Sequence, residues 1–138
     1  MIAVRYYTRS GNTKKLATAV ARAVKAGEKP VSVDLPGKTD LLFLGSSVYG
    51  GRFHPEVGEF LVRNQDKITN ICLFGSSASG QTVKKRLKKL LKYSDMTLLD
   101  ESFSCPGHFL FLHKERPNRK DLEKAAAFAK EVREKYGQ

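Results

Sequence analysis

Residues 8 to 13 read Thr-Arg-Ser-Gly-Asn-Thr. Three hydroxyls, one amide, one guanidinium and one glycine thus stand in six consecutive positions. An apolar run ends just before them, at Tyr7, and a helical repeat starts just after. A strand-to-helix turn needs one capping side chain, and this cluster offers several more. The first N–H groups of a helix lack intrahelical partners and carry partial positive charge. Hydrogen-bond donors gathered there suit an anion such as a phosphate. Two further stretches have a similar character, Ser46-Ser47-Val48-Tyr49-Gly50-Gly51-Arg52-Phe53-His54 and Gly75-Ser76-Ser77-Ala78-Ser79-Gly80. Serine and glycine let backbone N–H groups approach a ligand closely.

Several chemistries are disfavoured. No Gly-Lys-Ser/Thr closes residues 8–13, so this is not a nucleoside-triphosphate loop, and no G-x-G-x-x-G opens the first helix. A phosphoacceptor receiver domain would need acidic residues at its strand ends for Mg²⁺, whereas the first strand here ends in Tyr6-Tyr7. No paired carboxylates stand near the three loops, so acid–base catalysis by side chains has no support, and no metal ligand set is expected. His54, before Pro55, reads as a helix N-terminal residue. His108 and His113, flanking Phe109-Leu110-Phe111-Leu112, read as ordinary.

The elements that must hold these loops follow from hydrophobic period. Residues 2–7 read as a strand. Leu16, Ala17, Val20, Ala21 and Val24 recur at 3.6 spacing, so a helix is expected over 13–26, with Gly27 as its stop. Val31-Ser32-Val33-Asp34-Leu35 reads as a short second strand. Residues 40–47 and 70–77 are continuous apolar runs, as in strands buried on both faces. Pro55 suits the first position of a short helix whose stripe is Val57, Phe60 and Leu61. A helix over 82–92 has Val83, Leu87, Leu90 and Leu91 inside. Its other face carries Lys84, Lys85, Arg86, Lys88, Lys89 and Lys92. A strand follows over 97–105, with 108–113 as an extension or separate edge piece. A last helix begins at the N-cap Asn118, with Asp121 in its first turn and Leu122, Ala125, Ala126, Ala129 and Val132 as its stripe. Alternating strands and helices with doubly buried strands imply an α/β fold, an open parallel sheet with helices on both faces. In such sheets ligands bind outside the carboxyl ends of the strands, where strand order reverses. All three Ser/Gly-rich loops fall at carboxyl ends.

The chain has 138 residues, which fits one domain over 1–138. It shows no repeat, linker, low-complexity segment, signal peptide or membrane span, and a cytoplasmic location is expected. Cys72 lies in an apolar run and reads as a buried small hydrophobe. Cys105 precedes Pro106-Gly107 and reads as structural. The unusual quantity is charge: 25 Lys+Arg against 14 Asp+Glu, a net +11. So positive a surface favours acidic partners through long-range steering.

Residues 7–13 resemble the phosphate loop of the flavodoxin family, whose pattern is T/S-x-T/S-G-N-T. The resemblance implies that Thr8, Arg9, Ser10, Asn12 and Thr13 hold the phosphate of FMN and that Gly11 permits the close turn. Ser46, Ser47, Val48, Tyr49, Gly50 and Gly51 are similar to the family's small-polar, aromatic, glycine loop beside the isoalloxazine ring, with Tyr49 as the stacking aromatic. Ser76, Ser77 and Ala78 fall at the family's other ring-contacting loop. The resemblance spans nearly the whole chain. It implies a flavodoxin-like three-layer sandwich with a five-stranded parallel sheet of order 2-1-3-4-5.

Three departures stand out. Only residues 36–39 separate the expected second and third strands, so the family's helix there is absent. Those residues must cross two strand spacings of about 4.8 Å each at about 3.3 Å per residue. The third loop has no aromatic, which leaves one face of the ring open. The family is usually acidic, and this chain is basic. Arg52 and His54, close to the ring loop, favour the reduced, anionic flavin by Coulomb's law. A potential less negative than is usual for the family is therefore expected.

The resemblance implies an FMN-binding electron carrier that passes single electrons between redox partners. Its basic surface suggests acidic docking surfaces on those partners. Two alternatives belong to other classes. One is a small FMN-dependent oxidoreductase acting on a quinone or tetrapyrrole-type substrate. The other is a flavin-free module using its lysine-rich helix on nucleic acid, against which the lack of a recognition motif counts.

Overall fold

The computed structural model describes residues 1–8, 11–46, 54–76, 80–105 and 118–137. Five strands form one parallel sheet: β1 (Ile2–Tyr7), β2 (Glu28–Pro30), β3 (Thr39–Ser46), β4 (Ile68–Ser76) and β5 (Thr97–Cys105). Their order is β2-β1-β3-β4-β5. Among the described residues, four helices connect and flank them: α1 (Asn12–Val24), α2 (Pro55–Arg63), α3 (Gly80–Leu91) and α4 (Arg119–Tyr136).

Strand periodicity of two splits the core into two layers. Val4, Leu41, Phe43, Cys72 and Phe74 face one side, where they pack with Leu16, Ala17 and Val20 of α1 and Ala125, Ala129 and Val132 of α4. Ala3, Leu42, Leu44 and Ile71 face the other, with Val57, Phe60 and Leu61 of α2 and Leu87 and Leu91 of α3. The fully buried Phe43 and Phe60 anchor the two layers, each worth on the order of 2–3 kcal/mol by burial. The doubly buried reading of β3 holds, since Leu41 to Leu44 are all fully enclosed. Burial pushes the Cys72 thiol up to about 12, so this cysteine is an inert core residue, as expected.

The second strand is corrected. It lies at Glu28–Pro30, paired to Val4, Arg5 and Tyr6 of β1, and not at 31–35. Eight residues, 31–38, therefore link β2 to β3, and the crossing needs no taut chain. They hold no helix, as expected. The alternating Val-Ser-Val-Asp-Leu pattern is that of a loop lying over the sheet. Val31 and Leu35 are buried in the α2–α3 layer, while Val33 is 37% exposed.

Polar groups fasten this loop where the family's helix is missing. Arg5 shares the face of Ala3 and is only 4% exposed. Its guanidinium donates to the carbonyls of Val33 (2.9 Å), Val4 (3.0 Å) and Asp34 (3.1 Å). Burial lowers the Arg5 pKa, and the nearby Asp34 charge opposes that shift. The buried Asn64 accepts from the Leu35 N–H (3.0 Å) and donates to Asp34 and to the Phe60 carbonyl. Arg63 donates to Asp34 Oδ1 (2.9 Å) and to the Val31 carbonyl, and Lys67 to the Leu35 carbonyl.

The hydrogen bond from Arg63, then that from Asn64, holds the Asp34 carboxyl below its ordinary value near 3.8. A depressed folded-state pKa stabilises the fold above the unfolded value, and that stabilisation is lost as pH falls through the folded value. Asp34→Asn keeps an acceptor oxygen and removes the charge. Its loss of stability is expected near pH 7 and is expected to shrink as pH falls below that ordinary value, as urea unfolding on both sides of it would show. An equal loss on both sides would contradict this assignment.

Two helix ends differ from expectation. α1 stops at Lys25, which takes a left-handed conformation (φ 57°) and donates to the carbonyls of Ala21 and Arg22, two residues before Gly27. Leu90 of α3, expected inside, is 50% exposed. α4 starts as expected: Asn118 and Asp121 form a reciprocal capping box with N···O distances of 3.0 and 2.9 Å. The 108–113 segment lies outside the described residues. Among the described residues, no helix is long and apolar enough to cross a membrane.

Candidate functional site

Three strands end side by side. β1 and β3 are neighbours whose register closes with Tyr7 opposite Ser46. The chain runs from β1 outward to β2, then back past β1 to β3, so strand order reverses at this pair. β4 lies on the far side of β3, with Phe74 opposite Gly45. Adjacent strands stand about 4.8 Å apart, so the three Ser/Gly-rich loops leave the sheet within roughly 10 Å of one another.

The first loop closes through Thr8, whose Oγ1 accepts from the Gly11 N–H at 3.0 Å. Gly11 has φ 85°, a left-handed conformation that glycine adopts at little cost and a β-carbon penalises. Among the described residues, apart from its chain neighbours and its own helix backbone, no atom lies within 4 Å of where its Cβ would stand, so the requirement these residues show is one of backbone. Gly11 is the N-cap of α1 and supplies no side-chain hydrogen bond to the helix. The first turn holds no acidic residue and carries the exposed Lys14 and Lys15. Asn12 and Thr13 are buried at its start. Positive dipole end, cations and small polar side chains fit a phosphate.

The second loop leaves from Ser46, 8% exposed, and rejoins the described chain at His54. That imidazole stacks on Tyr7, with ring centroids 4.1 Å apart and planes 16° apart. Its Nδ1 accepts from the Glu56 N–H at 3.2 Å. The expected helix N-terminal role of His54 is borne out, since it caps α2. The stack ties the end of the second loop to the start of the first.

β3 and β4 approach closely here. A Cβ on Gly75 would stand 2.3 Å from the Ser46 carbonyl oxygen, and one on Gly45 would stand 2.4 Å from the Phe74 ring. Of the expected site residues, the structure thus brings Thr8, Gly11, Asn12, Thr13 and Ser46 to one edge, and β4 ends there at Ser76. Arg9, Ser10, Ser47, Val48, Tyr49, Gly50, Gly51, Ser77 and Ala78 lie outside the described residues. The contacts of two residues at this edge were not foreseen in the sequence. Gly75 had a readable signal, an isolated glycine inside a strand pattern, which marks close backbone approach. Tyr7 had none, because its partner His54 is 47 residues away.

Comparison with known proteins agrees with this geometry. A flavodoxin domain model matches residues 3–107. An uncharacterized protein of Methanocaldococcus jannaschii is 32% identical over 139 aligned positions, which cover 88% of this chain and 89% of that protein. An archaeal flavodoxin structure superposes with a TM-score of 0.72 at 20% identity, covering 98% of each chain. A Lactobacillus acidophilus flavoprotein solved in complex with FMN superposes with a TM-score of 0.59 at 17% identity, over 75% of this chain and 92% of that one.

Proposed function

The chain belongs to the flavodoxin domain family, and on that premise we propose that it binds FMN at the carboxyl edge of its sheet and carries single electrons between partner proteins. The observation that carries this reading is the start of α1. A left-handed Gly11 caps a helix whose first turn holds two lysines and no acid, where strand order reverses. The FMN complex of the Lactobacillus flavoprotein, which shares the fold, supports the same ligand.

In this reading Thr8, Arg9, Ser10, Gly11, Asn12 and Thr13 hold the phosphate. Ser46 to Gly51 and Ser76 to Ala78 flank the ring. FMN supplies the redox chemistry, and the protein supplies binding, orientation and electrostatics. The Tyr7–His54 stack positions the ring loop, and the Ser46–Gly75 contact sets the separation of the two ring-side loops. Positive charge near the ring stabilises the reduced anion. In this reading that charge comes from Arg52, with Lys14 and Lys15 at the start of α1. The basic surface steers acidic redox partners, mostly through on-rate and with strong salt dependence.

Spectroelectrochemical titration of the FMN-loaded protein tests the proposal. Two separate one-electron steps are expected, at potentials less negative than those of acidic flavodoxins, with no steady-state consumption of NAD(P)H. A single two-electron step accompanied by NAD(P)H turnover would replace the carrier with an oxidoreductase.

A further inference from the structure

On the α2–α3 side of the sheet runs an open groove of about 580 Å³, lined by Pro55, Gly58, Glu59, Val62, Arg63 and Leu90. It follows α2 for its whole nine residues, about 13 Å at the helical rise. Its apolar floor is unusual for a chain this charged. Val62 is 60% exposed and Leu90 50% exposed, although Val57, Phe60 and Leu61 of α2 and Leu87 and Leu91 of α3 are in the core. Isolated exposed apolar residues are common on protein surfaces; two that meet across a groove mark a contact surface.

The charge that α3 brings beside this groove has one sign. The segment 80–94 contains no acidic residue and carries Lys84, Lys85, Arg86, Lys88, Lys89 and Lys92. Lys84 donates to the Asp100 carbonyl, and Lys88 stands 3.6 Å from the Asp100 carboxylate. Among the described residues, no carboxylate pairs with Lys85, Arg86 or Lys89, and all three are exposed. One acid, Glu59, lines the groove on the α2 side, four residues before Arg63. A solvated lysine face needs no apolar groove beside it.

We propose that the α2–α3 groove is a docking site for an acidic amphipathic helix of a partner protein. The partner's apolar stripe lies on Val62 and Leu90, and its carboxylates face Lys85, Arg86 and Lys89. Two helices flanking an apolar trough are the setting in which a third helix docks by residues spaced i, i+4 and i+7. A second copy of this chain fits poorly, because it would bring two cationic rows together on a chain of net charge +11. Nucleic acid would use the cations and leave the apolar floor without a partner. The groove starts at Pro55, next to His54, so a helix seated in it reaches the carboxyl edge of the sheet. The proposal does not depend on flavin binding, and its test uses the protein with or without FMN.

The probe is a helical acidic peptide with leucines at i, i+4 and i+7 among glutamates, titrated into the ¹⁵N-labelled full chain. Amide shifts are expected over Gly58–Arg63 and Arg86–Leu91. Leu90→Ser, Val62→Ser and Lys85→Glu/Lys89→Glu are each expected to weaken binding at least about tenfold. These positions are exposed, so the variants keep the fold. A scrambled peptide of the same composition, lacking the stripe, is expected to bind at least about tenfold more weakly. Equal binding by the scrambled peptide would reduce the site to charge attraction and overturn the proposal. So would shifts confined to other elements, or tighter binding of single-stranded oligothymidylate to the same amides. Peptide-free shifts in these helices that grow with protein concentration would assign the groove to self-association instead.

Discussion

Gly75→Ala is expected to cost about 2 kcal/mol of stability and to weaken FMN binding at least about tenfold. The reason is geometric. The new methyl group would stand 2.3 Å from the Ser46 carbonyl oxygen and 3.4 Å from its carbon. Both are backbone atoms of β3, held in register with β1 by the Tyr7–Ser46 pairing, so no side chain can swing aside. Either β4 moves away or the end of β3 is pushed outward, and the ring loop leaves from that end. Gly45→Ala provides the contrast. Its methyl group meets the Phe74 ring inside the α1–α4 layer, so it costs stability through overpacking and leaves the loop ends in register. Urea unfolding together with FMN titration of both variants separates the two effects. Full FMN affinity in a folded Gly75→Ala protein would show that the Ser46–Gly75 contact does not shape the site.

Arg5→Met is expected to lower stability by about 3 kcal/mol. Methionine fills much of the volume of the arginine stem and removes the guanidinium. Three carbonyls, of Val4, Val33 and Asp34, then lose a charged donor. Hydrogen bonds to charged groups are worth about 1.5–3 kcal/mol each, and the cost of burying the cation offsets part of their sum. The 31–38 link covers the sheet where a helix is absent, so its release also uncovers Val31 and Leu35. A shift of the urea midpoint by about 1–2 M, with faster proteolysis within 31–38, would confirm the clamp. A shift corresponding to less than about 0.5 kcal/mol would show that Val31 and Leu35 hold the link without Arg5.

Much of the architecture was legible because burial on both faces leaves a plain record. Leu41 to Leu44 and Ile71 to Phe74 read as central strands, and each residue packs on the face its parity requires. Pro55 and Asn118 marked helix starts through local chemistry that tertiary context did not override. The failures share a cause in contacts distant along the chain. Val31, Val33 and Leu35 alternate like a strand, but Arg5 and Asn64 hold their backbone as a loop, and both partners are about 30 residues away. Leu90 fitted an apolar stripe, but α2 and α3 leave a groove at that point. At the site, the strand–loop–helix pattern around residues 8–13 was readable because capping and turn chemistry are local. The Tyr7–His54 stack and the identity of Ser46 as the partner of Gly75 depend on strand register, which the loop sequences do not encode.

The central claim is that residues 8–13 and the start of α1 hold a phosphate. The most direct test compares FMN with riboflavin, which has the same ring and no phosphate, by flavin fluorescence titration. The wild-type protein and Ser10→Ala/Asn12→Ala would be measured side by side. FMN is predicted to bind at least about a hundredfold more tightly than riboflavin, a difference of about 2.7 kcal/mol, and the double variant to lose most of that difference. Comparing two ligands on each protein cancels any general effect of the substitutions on the fold. Equal affinities for FMN and riboflavin in the wild-type protein, or no FMN binding at about 50 μM, would contradict the claim.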